Sequence, residues 1–266
     1  MQAAIPYCKD GMLTPEERRA KIGAVIRVAS GNFLEMYDFI VYGSLEETEA
    51  FKRMKRHPRA ATEVLRILGA NWRLVLVGMM LSVMTTTTFY LITAYTPTFG
   101  SRALHFSQKQ DFIVTFCIGV SNFIWLPIGG RLSDRFGRRP ILLLVPALAI
   151  LSAYPAMLWL VASPTMLKLL VVELWFSICF GMYSGAMIPF LTEIMPPEVR
   201  TAGFSLAFSL ATALFGGFTP AVCTYLIEVT GNKAAPALWL SLAAVIGLAG
   251  TLLAKSRREE KFNLDN

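Results

Sequence analysis

Between two long apolar runs lies the segment Gly130-Arg-Leu-Ser-Asp-Arg-Phe-Gly-Arg-Arg139, which carries five charges in ten residues. Hydrocarbon does not tolerate that density of charge, so the segment belongs at a membrane face and the flanking runs belong inside the bilayer. This placement rules out a soluble globular fold and sets the side from which every other loop is counted.

Composition agrees. Hydrophobic residues make up 55% of the 266-residue chain and charged residues 16%, more apolar surface than a soluble domain of this length buries. A net charge of +7 would suit nucleic acid, but the basic residues cluster in short connections beside apolar runs instead of forming one stripe. They read as topology signals, with no nucleic-acid partner expected. Cys8, Cys117, Cys179 and Cys223 lack CxxC spacing, and neither a metal, a cofactor nor a disulfide framework is expected. Met1–Lys21 lacks the apolar core and cleavage site of a signal peptide, so no segment there is expected to be removed.

Six runs have the length of a membrane-crossing helix: Leu74–Phe99, Phe112–Gly130, Ile141–Ala162, Met166–Leu191, Phe204–Val229 and the shorter Pro236–Ala254. An all-α membrane protein follows. Counting Lys and Arg in the connections puts sixteen on one side, with Arg131, Arg135, Arg138, Arg139 and Arg200 among them, against Arg102, Lys109, Lys233 and a marginal Lys168 on the other. By the positive-inside rule the first side is cytoplasmic, with both termini on it.

Ala24–Gly43 is about as long as a span but contains Arg27, Glu35 and Asp38, each costing roughly 2.5–3.5 kcal/mol near mid-bilayer. A single crossing there would also place the basic segment Lys52–Arg73 outside, against the rule. Either Ala24–Gly43 lies at the interface or re-enters, or an odd number of spans is missing between Gly43 and Ser44. The polar stretch Ser44-Leu-Glu-Glu-Thr-Glu-Ala-Phe51 follows Gly43 with no turn between them, so the junction reads as a seam.

Gly130-x-x-x-Asp134-Arg135-x-Gly137-Arg138-Arg139 resembles the signature loop of the major facilitator superfamily, which joins the second and third helices of each six-helix half. Gly31-Asn-Phe-Leu-Glu-Met-Tyr-Asp-Phe39 is similar to the first-helix motif of the metabolite:proton symporter branch. Thr85–Thr98, Gly119–Gly129 and Arg200–Gly217 resemble the citrate–proton symporters of that branch. The resemblance implies the C-terminal six-helix half plus a fragment of the first N-terminal helix. Its segments would be an N-terminal segment 1–21, a first-helix remnant 22–43, a linker 44–72, the six-helix half 73–254 and a tail 255–266.

The same resemblance implies transport of a small organic anion, citrate or a related tricarboxylate, with protons by alternating access in the cell inner membrane, not an enzyme. HExxH and Walker A patterns are absent. The alternative is a non-transporting fragment or interaction module that pairs with a complementary transporter half. Glu35 and Asp38 stand three apart with Asn32 a further three before, so a helix would gather them toward one face. Intramembrane carboxyls there are candidate proton carriers, and Asn32 is a candidate substrate contact.

Tyr90 and Tyr95, within a Thr-rich span that Pro97 is expected to kink, and Asn122, within the next span, are further substrate candidates. The hydroxyls of Thr85–Thr88 serve either substrate binding or close helix packing. Glu173 serves either a cavity or a structural pair. Gly130, Asp134, Arg135, Gly137, Arg138 and Arg139 would form a gating loop or only fix topology, with Gly130 and Gly137 favouring a tight turn. Glu193 and Arg200 are expected to close a helix-end ion pair. The six runs hold no cation near mid-membrane, so recognition of an anionic substrate is expected to fall largely to the missing half.

Overall fold

The structure, a computed structural model, describes residues 61–254 except His105 and Glu198. A short helix, Ala61–Ala70, leads through Asn71 into six helices long and apolar enough to cross a membrane: Trp72–Ser101, Lys109–Phe136, Arg138–Ala162, Met166–Ile194, Arg200–Thr230 and Pro236–Leu253. The sequence boundaries fall within a few residues of most of these. Asn32, Glu35, Asp38, the Gly43–Ser44 seam and the segments 1–21, 22–43 and 255–266 lie outside the described residues.

The exception is the basic segment. The second span does not end at Gly130 but runs helical to Phe136, so the connection to the third span is the single residue Gly137. Its φ of 91° and ψ of 151° lie where an L side chain is strained, and there the expectation of a glycine turn holds. Gly130 is instead a helical residue at a close crossing. Nothing between Gly130 and Phe136 breaks a helix, and charges that cannot enter hydrocarbon are free to continue one into water.

Small residues decide the packing. The second and fourth spans approach so closely that a Cβ on Gly129 would stand 2.7 Å from the Gly181 carbonyl oxygen, and one on Gly185 would stand 2.5 Å from the Gly130 nitrogen. Gly181-x-x-x-Gly185 thus forms a small-residue interface of the kind that lets membrane helices touch backbone to backbone. Gly250 does the same between the sixth and first spans, where a Cβ would lie 2.9 Å from Met80 Cβ. Hydrogen bonds between spans add direction: Tyr183 donates to the Leu81 carbonyl at 3.0 Å, and Trp175 Nε1 donates to Ser152 at 2.8 Å. Meanwhile Phe112, Phe116, Phe123 and Leu151 are exposed, a costly surface in water and an ordinary one against lipid.

Two spans are broken by π-helical turns. Leu91–Tyr95 precedes Pro97 in the first, and Thr212–Gly216 precedes Pro220 in the fifth. Proline supplies no N–H, and a widened turn redistributes the backbone bonds that it interrupts. Gly217 N accordingly bonds the Thr212 carbonyl five residues back, at 2.7 Å. The kink expected at Pro97 is in this form a wider turn before the proline.

Candidate functional site

Three clusters carry polar chemistry. The first surrounds Gly137. Arg138 opens the third span and reaches both the Asp134 carboxylate at 3.4 Å, one turn back on the second span, and the Glu193 carboxylate at 2.9 Å, at the end of the fourth. One guanidinium therefore ties three spans, with Asp134 and Glu193 exposed and Arg138 half-buried. Arg135 lies over the Phe136 ring, 5.5 Å from its centroid. Arg139 is half-buried on the third span.

Glu193 thus takes Arg138 as its partner and not Arg200, which is exposed at the start of the fifth span. The short spacing to Arg200 misled because Arg200 opens the next span, whereas the one-residue corner at Gly137 starts the third span with Arg138 at 2.9 Å from Glu193. Because both carboxylates are exposed, Glu193→Gln should lower stability by less than about 1 kcal/mol. The difference should shrink in high salt. Melting of the detergent-solubilised protein at two ionic strengths checks this, and a loss that high salt leaves unchanged would contradict it.

A second cluster is the seam of the first and fifth spans. The Tyr90 ring packs where a Cβ on Gly216 would stand, 2.9 Å away, inside the fifth span's π-helical turn. Tyr95 is buried beside Cys223 and Thr224 and packs on Phe99 with ring centroids 5.8 Å apart. Of the Thr run, Thr86 and Thr88 return their hydroxyls to their own helix, to the Ser82 and Met84 carbonyls at 3.1 and 2.6 Å. Thr85 reaches Ser184 at 3.4 Å, and Thr87 is buried with its hydroxyl unpartnered.

The third cluster joins the second and fourth spans. Ser177 Oγ lies 2.6 Å from Asn122 Oδ1 and 2.8 Å from Ser121 Oγ. A hydroxyl has one hydrogen, so Ser177 donates to the amide oxygen and accepts from Ser121. Asn122 is therefore placed on a different seam from the two tyrosines.

Sequence reasoning named Glu173 without assigning it a role and passed over Asp111. Both are buried, at 4% and 3% exposure, and each has a carboxyl oxygen without a hydrogen-bond partner. The sequence signal for Glu173 was its apolar neighbourhood. Asp111 looked like an ordinary first-turn acid behind the Ser107–Gln110 capping box. Among the described residues no group of His, Cys, Asp and Glu is arranged to hold a metal ion.

The sequence profile of the Major Facilitator Superfamily matches residues 40–220. The chain is similar to the citrate-proton symporter of Salmonella typhi, at 53% identity over 81% of this chain and 49% of the relative. It is similar to that of Klebsiella pneumoniae, at 53% over 83% and 50%, and more distantly to the proline/betaine transporter of Escherichia coli K12, at 29% over 77% and 43%. The chain spans about half the length of these relatives. With six apolar helices, a single-residue basic corner and broken first and fifth spans, this multi-pass membrane protein belongs to the Major Facilitator Superfamily.

Proposed function

We propose that residues 73–254 act as the C-terminal six-helix half of a secondary transporter that carries citrate or a related tricarboxylate together with protons, by alternating access against a complementary half. The observation that carries this reading is the 53% identity to two citrate-proton symporters over four-fifths of the chain. The positive-inside count supports the Gly137 end as cytoplasmic, with both termini on that side of the cell inner membrane. Residues 44–72 serve as the linker between halves.

In this reading the Arg138 contacts to Asp134 and Glu193, with Gly130, Arg135, Gly137 and Arg139 around them, hold one of two packing arrangements at the cytoplasmic face. Tyr90 and Tyr95 line the path from the first span and Asn122 from the second. Hydroxyls and amides donate to a carboxylate substrate, and interrupted helices such as the first span are found at transport sites. Glu35 and Asp38 carry the coupled proton, and Asn32 contacts the substrate. Arg200 belongs to the basic cytoplasmic rim.

The half-length match favours a second reading, in which the chain is a non-transporting fragment or interaction module that pairs with a transporter half. Uptake of labelled citrate into proteoliposomes under an inward proton gradient tests both. Proton-driven accumulation, by the chain alone or with a complementary six-helix half of the Klebsiella pneumoniae relative, supports transport, whereas pairing with that half without accumulation supports the second reading. No accumulation above empty vesicles in either preparation would sink the transport reading.

A further inference from the structure

The two buried carboxyls with orphaned oxygens sit along one face of the first span's far end, the end opposite Gly137. A Cβ on Gly100 would stand 2.0 Å from Asp111 Oδ1, so the carboxyl of the second span occupies the space that this glycine leaves. Four residues back, or about 6 Å along a helix, Thr96 lies beside Glu173, its hydroxyl bonded to the Leu91 carbonyl at 3.2 Å. One turn further along the fourth span, Ser177 makes its contacts to Ser121 and Asn122. Asp111, Glu173 and Ser177 thus form a polar file running from the far end toward the middle of an otherwise apolar bundle.

A buried, unpaired carboxylate is costly in such surroundings, and only a proton or a cation relieves it. Among the described residues the ion pairs are those of Arg138 at the opposite end, and none reaches Glu173. In the far half of the elements packed around it the titratable side chains are Tyr90 and Tyr95 on the first span, Asp111 and Cys117 on the second and Tyr154 on the third. Lys109 and Lys168 stand at the far rim.

We propose that Glu173 is a proton-binding site belonging to this six-span bundle, loaded from the far end through Asp111, and that Thr96 links its charge to the π-helical turn of the first span. In loading, a hydronium ion protonates Asp111; a water molecule between the two carboxyls takes that proton, breaking the Asp111 O–H bond, and gives a proton to Glu173, which leaves Asp111 ionised for the next proton. Thr96 Oγ also lies 3.2 Å from the Leu91 carbonyl, the first residue of that π-helical turn. Its single hydrogen goes to an ionised Glu173 or to Leu91, not to both. Proton uptake at Glu173 therefore hands the hydroxyl back to the broken helix.

The proposal gives the proton-coupled reading a second proton site, and its test needs neither citrate nor transport. The full chain in lipid nanodiscs is treated with dicyclohexylcarbodiimide, an apolar reagent that adds to protonated carboxyls, and the adduct is located by mass spectrometry across a pH series. Wild-type protein should carry the adduct on Glu173, in yield that falls as pH rises, and Glu173→Gln should lose it. Asp111→Asn should slow the recovery of labelling after a downward pH jump by at least about tenfold.

No adduct on wild-type Glu173 at any pH would overturn the proposal. So would a yield independent of pH, or protection by sodium ions that marks a cation site instead. The wild-type measurement decides even if a variant fails to fold. Citrate transport with an unreactive Glu173 would overturn the proton site and leave the proposed function standing.

Discussion

Gly185→Leu is expected to lower the stability of the six-span bundle by about 3 kcal/mol or more. A Cβ at this position would stand 2.5 Å from the Gly130 nitrogen and 2.5 Å from the Leu126 carbonyl oxygen. Both neighbours are backbone, so no rotamer change on the second span makes room, and the two helices must separate along their whole crossing. Gly119→Leu is the matched control, because a Cβ there meets nothing within 4 Å and the substitution should fall within about 0.5 kcal/mol of wild type. Denaturation of both variants in the same detergent, followed by circular dichroism, checks the pair. Equal midpoints would mean that the second and fourth spans are not in backbone contact.

Gly137→Val is the second large effect, expected at about 1–3 kcal/mol. The backbone at φ 91° and ψ 151° lies in a region essentially confined to glycine, and valine adds a branch at Cβ. Because this residue alone connects the second and third spans, strain there moves Arg138 away from Asp134 and Glu193. The variant should therefore also lose the salt-sensitive part of its stability. Gly231 provides the contrast: its φ of 64° and ψ of 4° are left-handed helical, a conformation that asparagine tolerates. Gly231→Asn should change the melting temperature much less than Gly137→Val, and a larger drop for Gly231→Asn would refute the assignment of strain.

The spans were legible because membrane crossing is written in local composition, and six apolar runs map onto six helices. The Gly130 boundary misled for a physical reason: charge marks where a chain leaves hydrocarbon, not where a helix stops, and this helix continues to Phe136. Gly181-x-x-x-Gly185 has the spacing of a close-packing pattern but was not singled out in the sequence. Its partner surface, Gly129 and Gly130, becomes visible only once the second and fourth spans are side by side.

Long-range pairing was less legible still. Glu193 has Arg200 seven residues away in sequence and Arg138 far from it, yet the fold joins it to Arg138. Pro97 and Pro220 hint at the breaks in their spans, but the packing of Tyr90 on Gly216 across two spans becomes visible only in the fold. The burial that gives Asp111 its interest comes from the glycine it packs against, Gly100, eleven positions earlier on another helix.

Proton-coupled citrate movement is tested most directly in proteoliposomes that hold the chain with a complementary half and a pH-sensitive dye in the lumen. With no pH gradient at the start, adding citrate outside should acidify the lumen as citrate enters, and wild-type acidification should track labelled citrate uptake. Citrate entry without lumenal acidification, or acidification indifferent to citrate, would contradict symport.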